Sequence, residues 1–153
     1  DFVVTVPGIG IDGKHVPLLE VDYVCLVDAD NPALVDGQLS LEAFVALPQA
    51  VAQFGRHHFP PADRRLRELD IDRREPRVTT SSFLPLPSVV AGTDLVAVVP
   101  RELARTLGPL TGTVGADAPF GSVEIALKLW WHPSHDSDPV HTWFREHLIA
   151  ALN

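Results

Sequence analysis

The stretch "SSFLPLPSVVAGTDLVAVVPRELA" (residues 81–104) decides the fold class. Small hydroxyls lead into a segment holding Pro85 and Pro87. A helix tolerates proline only in its first turn, because the ring removes an N–H and clashes with the turn before it. Gly92 then supplies a left-handed stop. "DLVAVV" (94–99) has the length and composition of a strand buried on both faces. Pro100 opens a further helix, "PRELARTLGP", which Gly108-Pro109 is expected to close. Helix, buried strand and helix in succession predict a layered α/β fold.

The same alternation extends outward in both directions. "FVVTV" (2–6) is a β-branched run that reads as a strand covered on both faces, and "VDYVCLVD" (21–28) is a second, ended by the turn-rich "DADNP". Ser40 is placed to cap a short helix, "LEAFVAL", stopped by Pro48. "QAVAQF" (49–54) reads as a third strand. "PPADRRLREL" (60–69) is a solvent-facing helix with Asp63–Arg67 and Arg64–Glu68 pairs and a thin apolar face of Ala62, Leu66 and Leu69. "RVTT" (77–80) is a short strand. "SVEIALKLWW" (122–131) alternates strictly, with Val123, Ile125, Leu127, Leu129 and Trp131 on one face. These elements predict an α/β class with a largely parallel sheet.

The chain has 153 residues, 46% of them hydrophobic, enough for a sizeable core. A formal net charge of −8 repels phosphate backbones and argues against direct nucleic-acid binding. No apolar run approaches the roughly 18–20 residues needed to span a bilayer. The single cysteine, Cys25, permits no intrachain disulfide and reads as a small buried core residue in a reducing compartment. The chain starts at Asp1, directly before a strand, which predicts a piece of a longer protein.

The candidate chemistry sits near the C-terminus, in "LKLWWHPSHDSDPVHTWFREHLIAALN" (127–153). Asp138 is placed to cap a helix beginning at Pro139, with Val140, Trp143, Phe144, Leu148 and Leu152 as its core stripe. His141 and His147 then point outward. His132 and His135 could form half a metal site, joined by Asp138 or His141, but no second cluster of sharp spacing closes it. "RHHF" (56–59) is only a histidine pair. The plainer reading is strand, polar turn and capped helix, with no metal and no cofactor. No nucleophile elbow, phosphate loop or carboxylate pair is present, and "PGIGIDGK" (7–14) lacks the spacing of a phosphate loop. "TTSS" (79–82) ahead of a helix could be an anion site or an ordinary cap.

Three of these segments together resemble one branch of the LysR-type transcriptional regulators, the branch of nodulation and aromatic-degradation regulators. "LWWHPSHDSDPVHTWFRE" is similar to its C-terminal signature through Trp131, His132, Pro133, Asp138, Pro139, His141, Trp143 and Arg145. Residues 81–104 resemble its second-subdomain core. "DADNPAL…LSLEAFVALPQAV" (28–51) resembles its His-Pro-Leu turn, with Asn31 in the histidine position. The resemblance implies an effector-binding domain with a periplasmic-binding-protein-like fold and an incomplete first subdomain. Residues 1–19 and 130–153 map to subdomain I, and 20–129 to subdomain II. It implies a cleft lined by Thr5, Val6 and Pro7, by Phe54 and Gly55, by Ser81, Ser82 and Phe83, and by Trp130. The aromatics and hydroxyls would suit a small aromatic or phenolic carboxylate. The implied partners are that effector, promoter DNA through an N-terminal domain outside this chain, and copies of itself as a dimer or tetramer in the cytoplasm, with no membrane contact and no catalysis. Two other readings stay open: a solute-binding protein on the same fold, and a metal-dependent enzyme using His132, His135 and His141.

Overall fold

The computed structural model describes residues 1–6, 12–54, 61–71 and 75–152, apart from the side chains of residues 61 and 62. In chain order the elements are β1 (Phe2–Thr5), β2 (Lys14–Asp28), β3 (Leu34–Val35), β4 (Gln38–Leu39), α1 (Leu41–Ala46), β5 (Gln49–Ala52), α2 (Pro61–Glu68), β6 (Val78–Thr80), α3 (Leu86–Val90), β7 (Val96–Pro100), α4 (Arg101–Thr111), β8 (Thr113–Asp117), β9 (Glu124–Trp131), a 3-10 turn (Pro133–His135) and α5 (Pro139–Leu152). They form two compact units. Unit 1 comprises Asp1–Val21 and Glu124–Asn153, and unit 2 comprises Asp22–Val123.

In unit 2 the strand order is β8-β2-β7-β5-β6. Strand β5 runs parallel to β7 and β6, whereas β2 runs antiparallel to β7 and β8. The sheet is therefore mixed, not largely parallel. The cause is β2, which enters from unit 1 as one 15-residue strand instead of returning through a helix. Every residue of Tyr23–Val27 and of Leu95–Val99 is buried, as continuous apolar runs require when both sheet faces are covered. Alternate residues Val24, Leu26, Ala97 and Val99 pack with Leu86 and Val90 of α3 and Ala104 of α4.

Local signals set the ends of most elements. Ser40 caps α1 through Oγ, which accepts the Ala43 N–H at 3.1 Å. Asp36 and Gly37, at φ of 50° and 75°, form the two-residue turn between β3 and β4. The pair Asp-Gly is a strong hairpin signal. In α2, Arg64 pairs with Glu68 at 3.1 Å, and Leu66 is fully buried while Leu69 is exposed.

Several expected boundaries move, and the second strand, expected from Val21, already begins at Lys14. The third strand stops at Ala52, two residues early. The buried strand of the 94–99 run begins at Val96, since Thr93 and Asp94 form the bend before it. Helix α4 runs through Gly108-Pro109 to Thr111 and closes at Gly112, whose φ is 74°. Pro109 sits in the last turn, and Gly108 has a packing role instead of a stopping one. A Cβ on Gly108 would lie 2.7 Å from the Thr113 carbonyl oxygen, at the start of the unforeseen strand β8. Gly108→Val should therefore cost about 3 kcal/mol, the upper part of the range for overpacking a tight contact. Urea unfolding checks this: the midpoint should fall with the slope unchanged. An unchanged midpoint would show that the helix can shift freely off β8.

In unit 1, β1 pairs antiparallel with β9, Val3 opposite Trp130 and Val4 opposite Leu129. Val3 and Val4 are 46% and 48% exposed, so "FVVTV" is not covered on both faces as its composition predicts. Within β9, Leu129 and Trp131 are buried, on the face that alternation assigned to them. Asp138 caps α5 as expected, Oδ1 accepting the Val140 N–H at 2.9 Å and the His141 N–H at 3.3 Å. The stripe on that helix is a correction. Val140, Trp143, Phe144 and Leu152 are all exposed, while His141, Thr142, Arg145, Leu148 and Ile149 are the half-buried positions. Spacing identified an apolar face, but the helix turns a neighbouring face inward, because Arg145 lies over Trp131 and His141 lies on Phe2.

Candidate functional site

Phe54 and Phe83, two of the residues singled out in unit 2, meet in one aromatic run. The Phe83 ring lies 5.2 Å from Phe54 and meets Tyr23 edge-on at 5.8 Å. Edge-to-face and tilted contacts of this kind suit the ring quadrupoles. Tyr23 is buried and Phe83 half-buried, whereas Phe54 is 41% exposed. The run thus leads from the core to an aromatic face in solvent. Burial pushes the Tyr23 phenol up to about 12, so it stays protonated near neutrality.

Thr80 at the end of β6 fixes the segment that carries Phe83. Its Oγ1 donates to the Ser82 carbonyl at 2.7 Å, folding the chain tightly before α3. Ser81 is exposed and Ser82 half-buried. Neither hydroxyl caps the helix: α3 begins at Leu86, with Pro85 at its cap position and no side-chain cap. The ordinary helix cap expected at "TTSS" is therefore not formed. Prolines at 85 and 87 leave few free N–H groups there, and the helix is only five residues long. Gly55 lies outside the described residues.

In unit 1, Thr5 and Val6 are half-buried, and Pro7 lies outside the described residues. Trp130 is half-buried, with the His15 ring 4.2 Å away and its indole N–H buried without an acceptor. His15 also takes a contact from Lys128 at 3.0 Å. Neither His15 nor Lys128 was singled out in the sequence, because a strand position carries no sign of its cross-strand neighbour.

An open feature of unit 2 lies elsewhere. A shallow cavity of about 280 Å³ is lined by Asp22, Tyr23, Arg101, Asp117, Ala118 and Ser122. None of the nine expected site residues lines it. Arg101 bridges Asp22 at 2.6 Å and Asp117 at 2.8 Å, and these two carboxylates hold its guanidinium pKa above the ordinary value. One guanidinium thus meets two carboxylates, which leaves the cavity lining with an excess negative charge, and Tyr23 is the one side chain shared with the aromatic run.

The histidines of the C-terminal cluster are engaged in other contacts. His132 Nδ1 accepts the Ser134 N–H at 3.2 Å, and His135 stacks face to face on His141. Asp138 is spent on capping, and those N–H groups hold its carboxyl below the usual range. Among the described residues no three His, Cys, Asp or Glu side chains converge on a common point. "RHHF" lies outside the described residues. Also among the described residues, no helix is long and apolar enough to cross a membrane.

The family model for the LysR substrate binding domain matches residues 1–153. The chain belongs to that family. This LysR domain is 30% identical over 131 residues to the transcriptional regulator SyrM of Rhizobium etli, covering 85% of the chain and 38% of that protein. It is 32% identical over 139 residues to nodulation protein D 1 of Sinorhizobium fredii, covering 89% of the chain and 42% of the relative. The chain thus spans about two fifths of the length of these curated relatives. Among solved structures, the regulatory domain of MexT, a transcriptional activator in Pseudomonas aeruginosa, superposes with a TM-score of 0.80 at 25% identity, over 97% of this chain and 71% of that one. The effector binding domain of QuiR in complex with shikimate shares the fold, with a TM-score of 0.78 at 13% identity, over 99% of this chain and 71% of that one. The α/β, periplasmic-binding-protein-like fold of a LysR effector domain is therefore the fold of this chain. Of these relatives, SyrM is named as a transcriptional regulator and MexT as a transcriptional activator.

Proposed function

We propose that this LysR domain binds a small aromatic or phenolic carboxylate as co-inducer, and that the exposed face of Phe54 and Phe83, edged by Ser81 and Ser82, takes its ring. The observation that carries the reading is the aromatic run itself. A buried Tyr23 backs Phe83, and Phe83 backs a Phe54 that remains open to solvent. A flat apolar surface beside hydroxyls suits a ligand with one aromatic face and one polar edge. Gly55 belongs to the same proposal through its place in the chain. Thr5, Val6, Pro7 and Trp130 keep the ligand-binding role that the family resemblance gives them. Units 1 and 2 are proposed to correspond to subdomains I and II. The relatives support a transcriptional role in the whole protein: promoter DNA held by a separate domain, an oligomeric state, and a cytoplasmic location.

Thermal unfolding with benzoate, 4-hydroxybenzoate and phenol tests the ligand class, with cyclohexanecarboxylate as the saturated control. An aromatic acid at about 100 times its dissociation constant adds about 2.7 kcal/mol of stability. Phe83→Ala and Phe54→Ala should each weaken that binding about tenfold, close to the loss of one stacking contact. Equal shifts with cyclohexanecarboxylate would remove the aromatic requirement. Equal affinity in both phenylalanine variants would move the site off this surface. Parallel arms with zinc and EDTA test the histidine reading, and no EDTA loss is expected.

A further inference from the structure

The histidines left unused by the proposed function form an ordered stack in unit 1. His135 and His141 lie parallel, 4.8 Å apart with 4° between the ring planes. On its other side His141 stacks against Phe2 of β1 at 3.9 Å, and Phe2 continues to Phe144 at 5.2 Å. His141 therefore sits between the 3-10 turn and β1 while belonging to α5. Both of its ring nitrogens are buried with no hydrogen-bond partner. A neutral imidazole tolerates that position, but an imidazolium with two unsatisfied donors does not. Nothing in a capped helix requires this arrangement, and phenylalanine would stack as well.

We propose that the His135–His141 stack is a proton-responsive latch, which holds α5 on β1 while the His141 ring is neutral and releases it when that ring is charged. The groups facing His141 support the direction. From the turn comes His135, from ahead of β1 the chain's α-amino group, and from α5 itself Asp138 and Arg145. Asp136 is already paired with Lys14 and accepts the Trp131 indole N–H, and Asp138 is engaged by two backbone N–H groups. The one nearby carboxylate that favours a charged ring, Asp138, is outweighed by burial first and then by His135, and the His141 pKa falls below its ordinary 6.5. In the unfolded chain His141 takes a proton near its ordinary value, whereas in the folded chain it resists one. Stability is therefore fully present above about pH 6.5 and is lost as the pH falls through the lowered folded value.

The test follows the imidazole Cε1–H resonances and the melting temperature of the intact chain from pH 8 to pH 5. The His141 resonance should titrate below 6.5, and His135→Asn should move its midpoint upward. The melting temperature of the unaltered chain should fall on acidification by several degrees more than that of His141→Phe, which keeps the stack without a titrating nitrogen. The slope should persist in the N-terminally acetylated chain. A His141 midpoint at or above 6.5, one unmoved by His135→Asn, or equal acid slopes in the unaltered chain and His141→Phe, would each overturn the latch. So would loss of the extra slope on acetylation, which would assign it to the α-amino group.

Discussion

Phe44→Ala should lower stability by about 3–5 kcal/mol, the usual cost of emptying a buried phenylalanine site. Phe44 is 1% exposed, and its ring packs against Phe120 at 4.9 Å. Its carbonyl also receives the side-chain amide of the buried Gln49 at 2.9 Å. The substitution thus leaves a cavity where α1, the entry to β5 and the turn before β9 meet. Total stabilities of single domains are about 5–15 kcal/mol, so the loss is a large fraction of the whole. Equilibrium urea unfolding measures it, and Phe44→Leu should lose much less because most of the volume remains. A Phe44→Ala loss below about 1 kcal/mol would mean that the site collapses around the missing ring, contrary to the packing described.

The second large effect lies directly after the proposed ligand surface. Leu86→Ala should cost about 2–5 kcal/mol, because Leu86 is fully buried against Val90 and the strands that carry Leu26, Ala97 and Val99. The Leu86 N–H also donates to the Phe83 carbonyl at 3.1 Å, so the residue anchors the turn that presents Phe83. The two neighbouring substitutions should separate in their readouts. Leu86→Ala acts mainly on the urea midpoint, and Phe83→Ala mainly on the affinity for an aromatic acid. If Leu86→Ala leaves the midpoint unchanged, α3 is not part of the unit 2 core.

How much of this was legible depends on the range of each signal. The caps at Ser40 and Asp138 were readable because a short polar side chain, a nearby N–H and a helix start lie within three residues of one another. The runs Tyr23–Val27 and Leu95–Val99 were readable because a strand covered on both faces has no polar positions. The Asp36-Gly37 turn carried an equally local signal and could have been read. Strand β8 could not, since Thr113–Asp117 has neither alternation nor a continuous apolar run, and it is a strand only because β2 lies beside it. At the site, Phe54, Ser81, Ser82 and Phe83 were picked out by family resemblance, but the contacts of Phe83 with Phe54 and with Tyr23 depend on β2, β5 and β6 lying in one sheet.

The face that α5 buries marks the boundary between the two kinds of information. Sequence periodicity alone determined that residues 139–152 form a helix capped by Asp138, because both are settled by contacts within a turn or two of the chain. It also placed an apolar stripe on Val140, Trp143, Phe144 and Leu152, and the folded chain leaves that stripe exposed. The tertiary structure decided instead that His141 and Arg145 turn inward, since Phe2 and Trp131 offer flat rings at those positions. A helix buries whichever face finds a complementary surface, and that surface is built by residues more than a hundred positions away in the case of Phe2.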